Sequence, residues 1–318
     1  KHPVVMVPGF ITGGLEIWGA EECLSNMFRQ ALWGGNTMAK AFLQDKECWL
    51  KHVALDAMTG QDPEGGIIKI RAQNGFEAAD YFMAGYWIFG KLIQNLADVG
   101  YLPKNMAMMT YDWRMAFPLL EERDGFLTDL KLKIERMVEV NGGEKAVMIG
   151  HSMGNIVIFF FLKWVTESKE NGGGGGGKDW AERHIEGFVN IAGPMLGVPK
   201  AISAILSGEM RETALLGKFG PLLESVSYLS SLVRVQYHWV LALTILLFFF
   251  RFLKYLPAKR RKDLIATWAS VWAMLPKGGP ALWEVGADIP AGVNDQGRLL
   301  RPSPTDHTLT QQMDGSCP

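Results

Sequence analysis

Several ordinary features are scarce in this sequence, and each shortage excludes something. Charge of one sign is missing: 32 Lys and Arg face 33 Asp and Glu in 318 residues, for a net charge of −1. Nothing therefore implies a polyanion, and nucleic acid is not an expected partner. A membrane-spanning helix needs ~20 consecutive apolar residues, and the most apolar stretch, Trp239–Phe250, has twelve uncharged ones. With Arg251 and Lys259–Lys262 behind it, that stretch reads as an interfacial anchor, a buried helix or a segment foreign to the fold. No apolar leader precedes the first element. Lys1-His2-Pro3 runs straight into Val4–Val7, which reads as a cut into a longer protein. There are three cysteines, Cys23, Cys48 and Cys317, and an odd count leaves at least one unpaired or intermolecular. Cys23 and Cys48 could close a loop or stay as free buried thiols. Gly172–Gly177 is not followed by Gly-Lys-Ser/Thr, so it is not a phosphate loop. Six glycines predict a flexible surface loop.

What is present suits a large α/β domain. The chain is 48% hydrophobic, enough for a substantial core. Eleven Trp and seventeen Phe suit a protein that meets lipid, although most such rings are core. Val4–Val7, Met106–Tyr111, Lys145–Ile149 and Ile185–Ala192 read as strands. Helical spacing is expected within Gly75–Leu96, where Tyr86, Phe89, Leu92, Ile93 and Leu96 share a face, and over Asp124–Val140 and Asn155–Thr166. Strands alternating with helices predict a mostly parallel sheet. Leu15–Asp62 shows no clean period and reads as a cap or lid.

Gly150-His151-Ser152-Met153-Gly154 carries the chemistry. In a Gly-x-Ser-x-Gly turn between strand and helix, the serine hydroxyl stands clear of the sheet and the glycines avoid collisions with neighbouring backbone. Ser152 is the candidate nucleophile. The N–H of Met153, at the start of the following helix, and that of Phe10, after the first strand, are candidate oxyanion donors. A serine also needs a base. Of the histidines after it, His184 reads as surface, His238 adjoins the apolar run, and His307 sits beside Asp306 in a Pro-rich tail. None fits a triad.

Pro3–Phe10, Gly13–Trp18, Tyr111-Asp112-Trp113-Arg114, Gly150–Gly154 and Asn190–Gly197 together resemble the lecithin:cholesterol acyltransferase family. Gly13–Trp18, Ser207–Arg211 and Met274–Gly279 point to its branch acting on phospholipid and diacylglycerol. The resemblance covers most of residues 2–233 and again 259–283. It implies an α/β-hydrolase fold, an acyl-enzyme on Ser152, Phe10 and Met153 as oxyanion donors, and a Cys23–Cys48 disulfide stapling the lid. Trp18 and Trp49 would meet substrate from the lid, and Gly193-Pro194 would lie beside the site. It also implies a membrane surface, phospholipid and diacylglycerol as partners, no cofactor or metal, and a lumenal domain at the endoplasmic reticulum membrane.

The resulting division is residues 1–14 as first strand and oxyanion loop, 15–62 as lid, and 63–233 as core. Residues 234–258 form an apolar insert, and 259–318 a partial cap with a non-matching tail. The insert reads as a translated intron or a wrong gene model. Because the likeness lapses after Trp283, the catalytic acid and histidine, and with them the C-terminal part of the fold, are expected to be absent and the chain inactive. The competing expectations are a phospholipase A or lipase, and a non-catalytic lipid-binding remnant.

Overall fold

The computed structural model describes residues 1–83, 86–208 and 258–276, with the backbone of two short strands at Leu300–Pro302 and Leu309–Gln312. Residues 234–257 of the expected insert, with His238, lie outside the described residues, as does His307. The strands are β1 (Val4–Val7), β2 (Leu15–Gly19), β3 (Ala31–Trp33), β4 (Lys69–Ala72), β5 (Tyr81–Met83), β6 (Tyr86–Trp87), β7 (Met106–Met108), β8 (Ala146–His151) and β9 (Ile185–Ile191). The helices are α1 (Gly35–Gln44), α2 (Lys46–Val53), α3 (Gly90–Asp98), α4 (Phe117–Asp124), α5 (Phe126–Val140), α6 (Gly154–Thr166), α7 (Trp180–His184), α8 (Pro199–Ser207), α9 (Ala258–Thr267) and α10 (Ala269–Ala273).

Four strands form a parallel sheet in the order β7-β1-β8-β9. Strands buried on both faces need no polar alternation, and all four residues of β1 are buried. β8 pairs with β1 along its length, Val4 opposite Val147 and Val7 opposite Gly150. The turn after β8 therefore opens beside the loop after β1. α5 covers the sheet with Phe126, Leu127, Leu130, Ile134 and Met137, and α6 with Ile156, Val157, Ile158, Phe161 and Val165. Among the described residues β9 is an outer strand, and Phe188, Val189 and Ile191 remain exposed. No described helix is long and apolar enough to cross a membrane.

The structure sharpens three sequence expectations and overturns one. Leu15–Asp62 is well structured: β2 pairs antiparallel with β3 and β4, and α1 and α2 pack on this sheet. Its strands are short and their registers irregular, so no single period survives long enough to be read. The helical stretch expected within Gly75–Leu96 is α3, which starts only at Gly90, after the β5–β6 hairpin, so Tyr86 falls outside it. Leu92, Ile93 and Leu96 do share a face, packed on the buried cluster that includes Met6, Phe89, Met106 and Met108. The helix expected over Asp124–Val140 is α5, which begins at Phe126; α4 ends just before it, and Gly125 between them has a left-handed φ of 65°. Finally, the glycine run is ordered. The N–H groups of Gly173, Gly174, Gly175 and Gly176 donate to the carbonyls of Ser168, Trp164, Glu167 and Val165. Two of these acceptors, Trp164 O and Val165 O, lie in the last turn of α6, where carbonyls lack partners further along the helix.

Candidate active site

Ser152 occupies the turn between β8 and α6 with φ +52°, left-handed backbone that a residue with a Cβ rarely adopts. Its N–H donates to Ile191 O at 2.9 Å, and the Asn155 side chain donates to both Ser152 O and Ile191 O. These bonds help offset the strain and fix the serine's direction. The flanking glycines are there for space. A Cβ on Gly150 would lie 2.5 Å from Asn155 Oδ1, and one on Gly154 would lie 2.4 Å from both Val7 O and Pro8 O. Gly193 also comes to this turn, since a Cβ there would meet Asn155 Cβ at 2.6 Å.

The loop after β1 abuts the serine. A Cβ on Gly9 would stand 2.7 Å from Ser152 Cβ and 2.8 Å from His151 O. Gly9 N–H is bound by Thr12 Oγ1 at 2.7 Å. Among the described residues the N–H groups of Phe10 and Met153 donate to no acceptor. That leaves both free for a ligand oxygen, and Met153 stands at the N-terminal end of α6, where orphan amides favour negative charge. The Phe10 ring is wedged edge-on against Trp113 and Trp268, at 5.2 and 5.9 Å between centroids. Among the described residues His151 Nδ1 is buried without a hydrogen-bond partner, and burial lowers the ring's pKa.

No base meets Ser152 among the described residues. His184 precedes β9, whereas the serine follows β8. With Ala146 opposite Ile185 and His151 opposite Ile191, they stand at opposite ends of the sheet, about 20 Å apart at ~3.3 Å per residue. His184 stacks on Trp180 and contacts Trp180 O. His2 lies against Lys145 O and Glu144. His52 is buried in the last turn of α2: its Nδ1 bonds Cys48 O at 2.8 Å and its Nε2 accepts from Glu21 N–H at 3.1 Å. Burial lowers its pKa.

Cys23 and Cys48 are joined as a disulfide beside His52. Trp49, expected near lipid on a lid, is instead fully buried, stacked on Trp33 with its N–H on Leu32 O. Trp18 is 47% exposed and packs edge-on against the exposed Phe28, with Arg29 over its ring. It lines a cleft of about 600 Å³ with Glu16, Arg71, Tyr111 and Arg123, a cleft that does not include Ser152.

Periodicity did not flag the role of Tyr111–Arg114. Asp112 and Arg114 are wholly buried and paired twice, Arg114 Nε to Oδ1 at 2.9 Å and Nη2 to Oδ2 at 2.6 Å. Arg123 adds a bond to Oδ2 at 2.8 Å. Burial pushes the Asp112 carboxyl up, but the two guanidiniums outweigh it and hold it well below the usual carboxylate range. Arg114 also reaches Val53 O at the end of α2 and Ile70 O in β4. Charged residues so close together, in an otherwise apolar stretch, were the available signal.

The sequence model of the lecithin:cholesterol acyltransferase family matches residues 27–316. The chain belongs to that family. The match runs past Trp283, where the sequence reading ends the likeness. The lecithin:cholesterol acyltransferase family has an α/β-hydrolase-like fold, in keeping with the parallel sheet and its helices. Similar relatives are the phospholipid:diacylglycerol acyltransferases of Schizosaccharomyces pombe (42% identical over 293 residues, 92% of this chain and 41% of the relative) and Saccharomyces cerevisiae (43% over 287, 89% and 39%). A bovine lysosomal phospholipase A and acyltransferase is 26% identical over 227 residues, 66% of this chain and 51% of that protein. The chain thus spans about two fifths of the length of the first two relatives.

Proposed function

We propose that this chain carries the acyl-accepting half of a phospholipid:diacylglycerol acyltransferase. Ser152 takes a fatty acyl group from a phospholipid, releasing lysophospholipid, and the acyl-enzyme then passes it to diacylglycerol to give triacylglycerol. Phe10 and Met153 N–H groups hold the oxyanion. The observation that carries this reading is the strained Ser152 turn packed against the Gly9-Phe10 loop. Residues 15–62 serve as the cap, with Trp18 and its neighbours at the lipid surface. The Cys23–Cys48 bridge suits an oxidising lumen such as that of the endoplasmic reticulum. The test is to supply labelled phospholipid with diacylglycerol and resolve the products. Labelled triacylglycerol made by wild type and lost in Ser152→Ala supports the reading and overturns the expected inactivity; triacylglycerol made equally by Ser152→Ala removes it; none from either protein leaves the chain inactive for want of a base, as its sequence leads one to expect. The likeness to a lysosomal phospholipase A and acyltransferase favours hydrolysis as the second reading. Free fatty acid in place of triacylglycerol, with diacylglycerol present, would select it.

A further inference from the structure

The loop from Pro8 to Gly13 carries a row of backbone carbonyls, and buried aromatic side chains from distant parts of the chain bind three of them. Tyr111 Oη donates to Pro8 O at 2.9 Å, Trp33 Nε1 to Ile11 O at 2.9 Å, and Trp113 Nε1 to Gly13 O at 2.9 Å. Gly9 O accepts the Thr12 N–H, and the Gly9 N–H is held by Thr12 Oγ1. Ile11 has φ +58°, so the loop is not in relaxed backbone. Tyr111, Trp33 and Trp113 are buried and packed, Trp33 and Trp113 with ring centroids 5.0 Å apart. Side chains locked by packing hold a bonded partner to tenths of an ångström, which a loop cannot do for itself.

We propose that Tyr111, with Trp33 and Trp113, is a positioning residue for acyl transfer: the three donors hold the loop carbonyls so that the Phe10 N–H keeps its place against Ser152. The inference rests on the reading of Ser152 as nucleophile. Tyr111 is the most informative of the three, because its hydroxyl can be removed without removing the ring. Burial also keeps that hydroxyl protonated, and so a donor, by raising its pKa. Deleting an oxyanion donor outright typically costs ~10²–10³ in rate, and misplacing one costs somewhat less.

The test uses the whole chain and a fluorophosphonate, whose phosphorus is attacked by the serine oxygen as fluoride leaves and whose P=O oxygen occupies the oxyanion position. Tyr111→Phe should lower the maximal labelling rate roughly 10- to 100-fold, leave the half-saturating probe concentration unchanged, and speed amide exchange over residues 8–13. Trp180→Phe removes another buried aromatic donor, whose N–H binds Glu135 Oε1 at 2.7 Å on α5, away from the loop. It should lower the melting temperature and leave labelling alone. An unchanged labelling rate in Tyr111→Phe, or an equal fall in Trp180→Phe, overturns the inference. If wild type shows no Ser152-dependent labelling, either the base is missing, as expected from the sequence, or the nucleophile reading fails, and neither result touches the loop. Exchange then decides the loop: faster over residues 8–13 in Tyr111→Phe sustains the clamp, and unchanged exchange refutes it.

Discussion

Replacing Gly154 by alanine puts one methyl group where the first turn of α6 meets the end of β1. That carbon would sit 2.4 Å from Val7 O and 2.4 Å from Pro8 O, where real Cβ atoms essentially never come within 3.0 Å. Both neighbours are backbone oxygens, so no side chain can rotate away; the helix or the Pro8–Gly9 loop must move. Overpacking of this kind costs about 1–3 kcal/mol, and rigid neighbours favour the upper half. Alanine recovers up to ~1 kcal/mol of helix propensity, less at the first turn. The net expectation is a loss of about 1–2 kcal/mol, or roughly 2–6 °C in melting temperature for a large domain. Gly187→Ala is the matched control. A Cβ at Gly187 in β9 meets nothing within 4 Å, and alanine is preferred over glycine in a strand interior by roughly 0.5–1 kcal/mol. Thermal denaturation followed by circular dichroism should therefore rank Gly187→Ala at or above wild type and Gly154→Ala clearly below. A Gly154→Ala protein that melts with wild type would refute the packing argument, and with it the explanation of why glycine stands there.

Three further outcomes follow from other parts of the molecule. Asp112→Asn leaves Arg114 and Arg123 without their shared carboxylate and should destabilise by about 3–5 kcal/mol at neutral pH. The Asp112 pKa is depressed in the folded state from 3.8, so its contribution is complete above about pH 4 and is lost as pH falls below that. Urea titrations should show the gap between the two proteins closing only there. His52 has its pKa lowered from 6.5 by burial. The folded state therefore binds fewer protons, and the neutral ring's contribution is full above about pH 6.5 and lost as pH falls through the window beneath it. His52→Asn should flatten that slope between pH 7 and 5, and an unchanged slope would remove His52 as its source. Reducing the bridge between Cys23 and Cys48, which are 25 residues apart, should cost ~3 kcal/mol. A dithiol should lower the melting temperature of wild type and have no effect on Cys23→Ala.

Much of the candidate site could be read locally. Gly150–Gly154, an apolar strand before it and an apolar helix after it lie within some twenty consecutive residues, so the sequence by itself determined the turn, the serine and the need for glycine on either side. That the sheet is mostly parallel followed from alternating strands and helices, whereas the order β7-β1-β8-β9 was decided by the tertiary structure. Tertiary structure alone decided what holds the site together. The loop at Pro8 is clamped by residues about 25 to 100 positions away, Trp33, Tyr111 and Trp113. Asp112 and Arg114 meet Arg123, Val53 and Ile70 in the core. Trp49 is turned inward onto Trp33, and the glycine run is pinned by backbone hydrogen bonds, two of them to the last turn of α6. Hydrophobic periodicity reports contrast between a buried and a solvated face over a few turns. A hydrogen bond between a buried aromatic and a remote carbonyl leaves no such trace, because its partners become neighbours only when the chain closes around them.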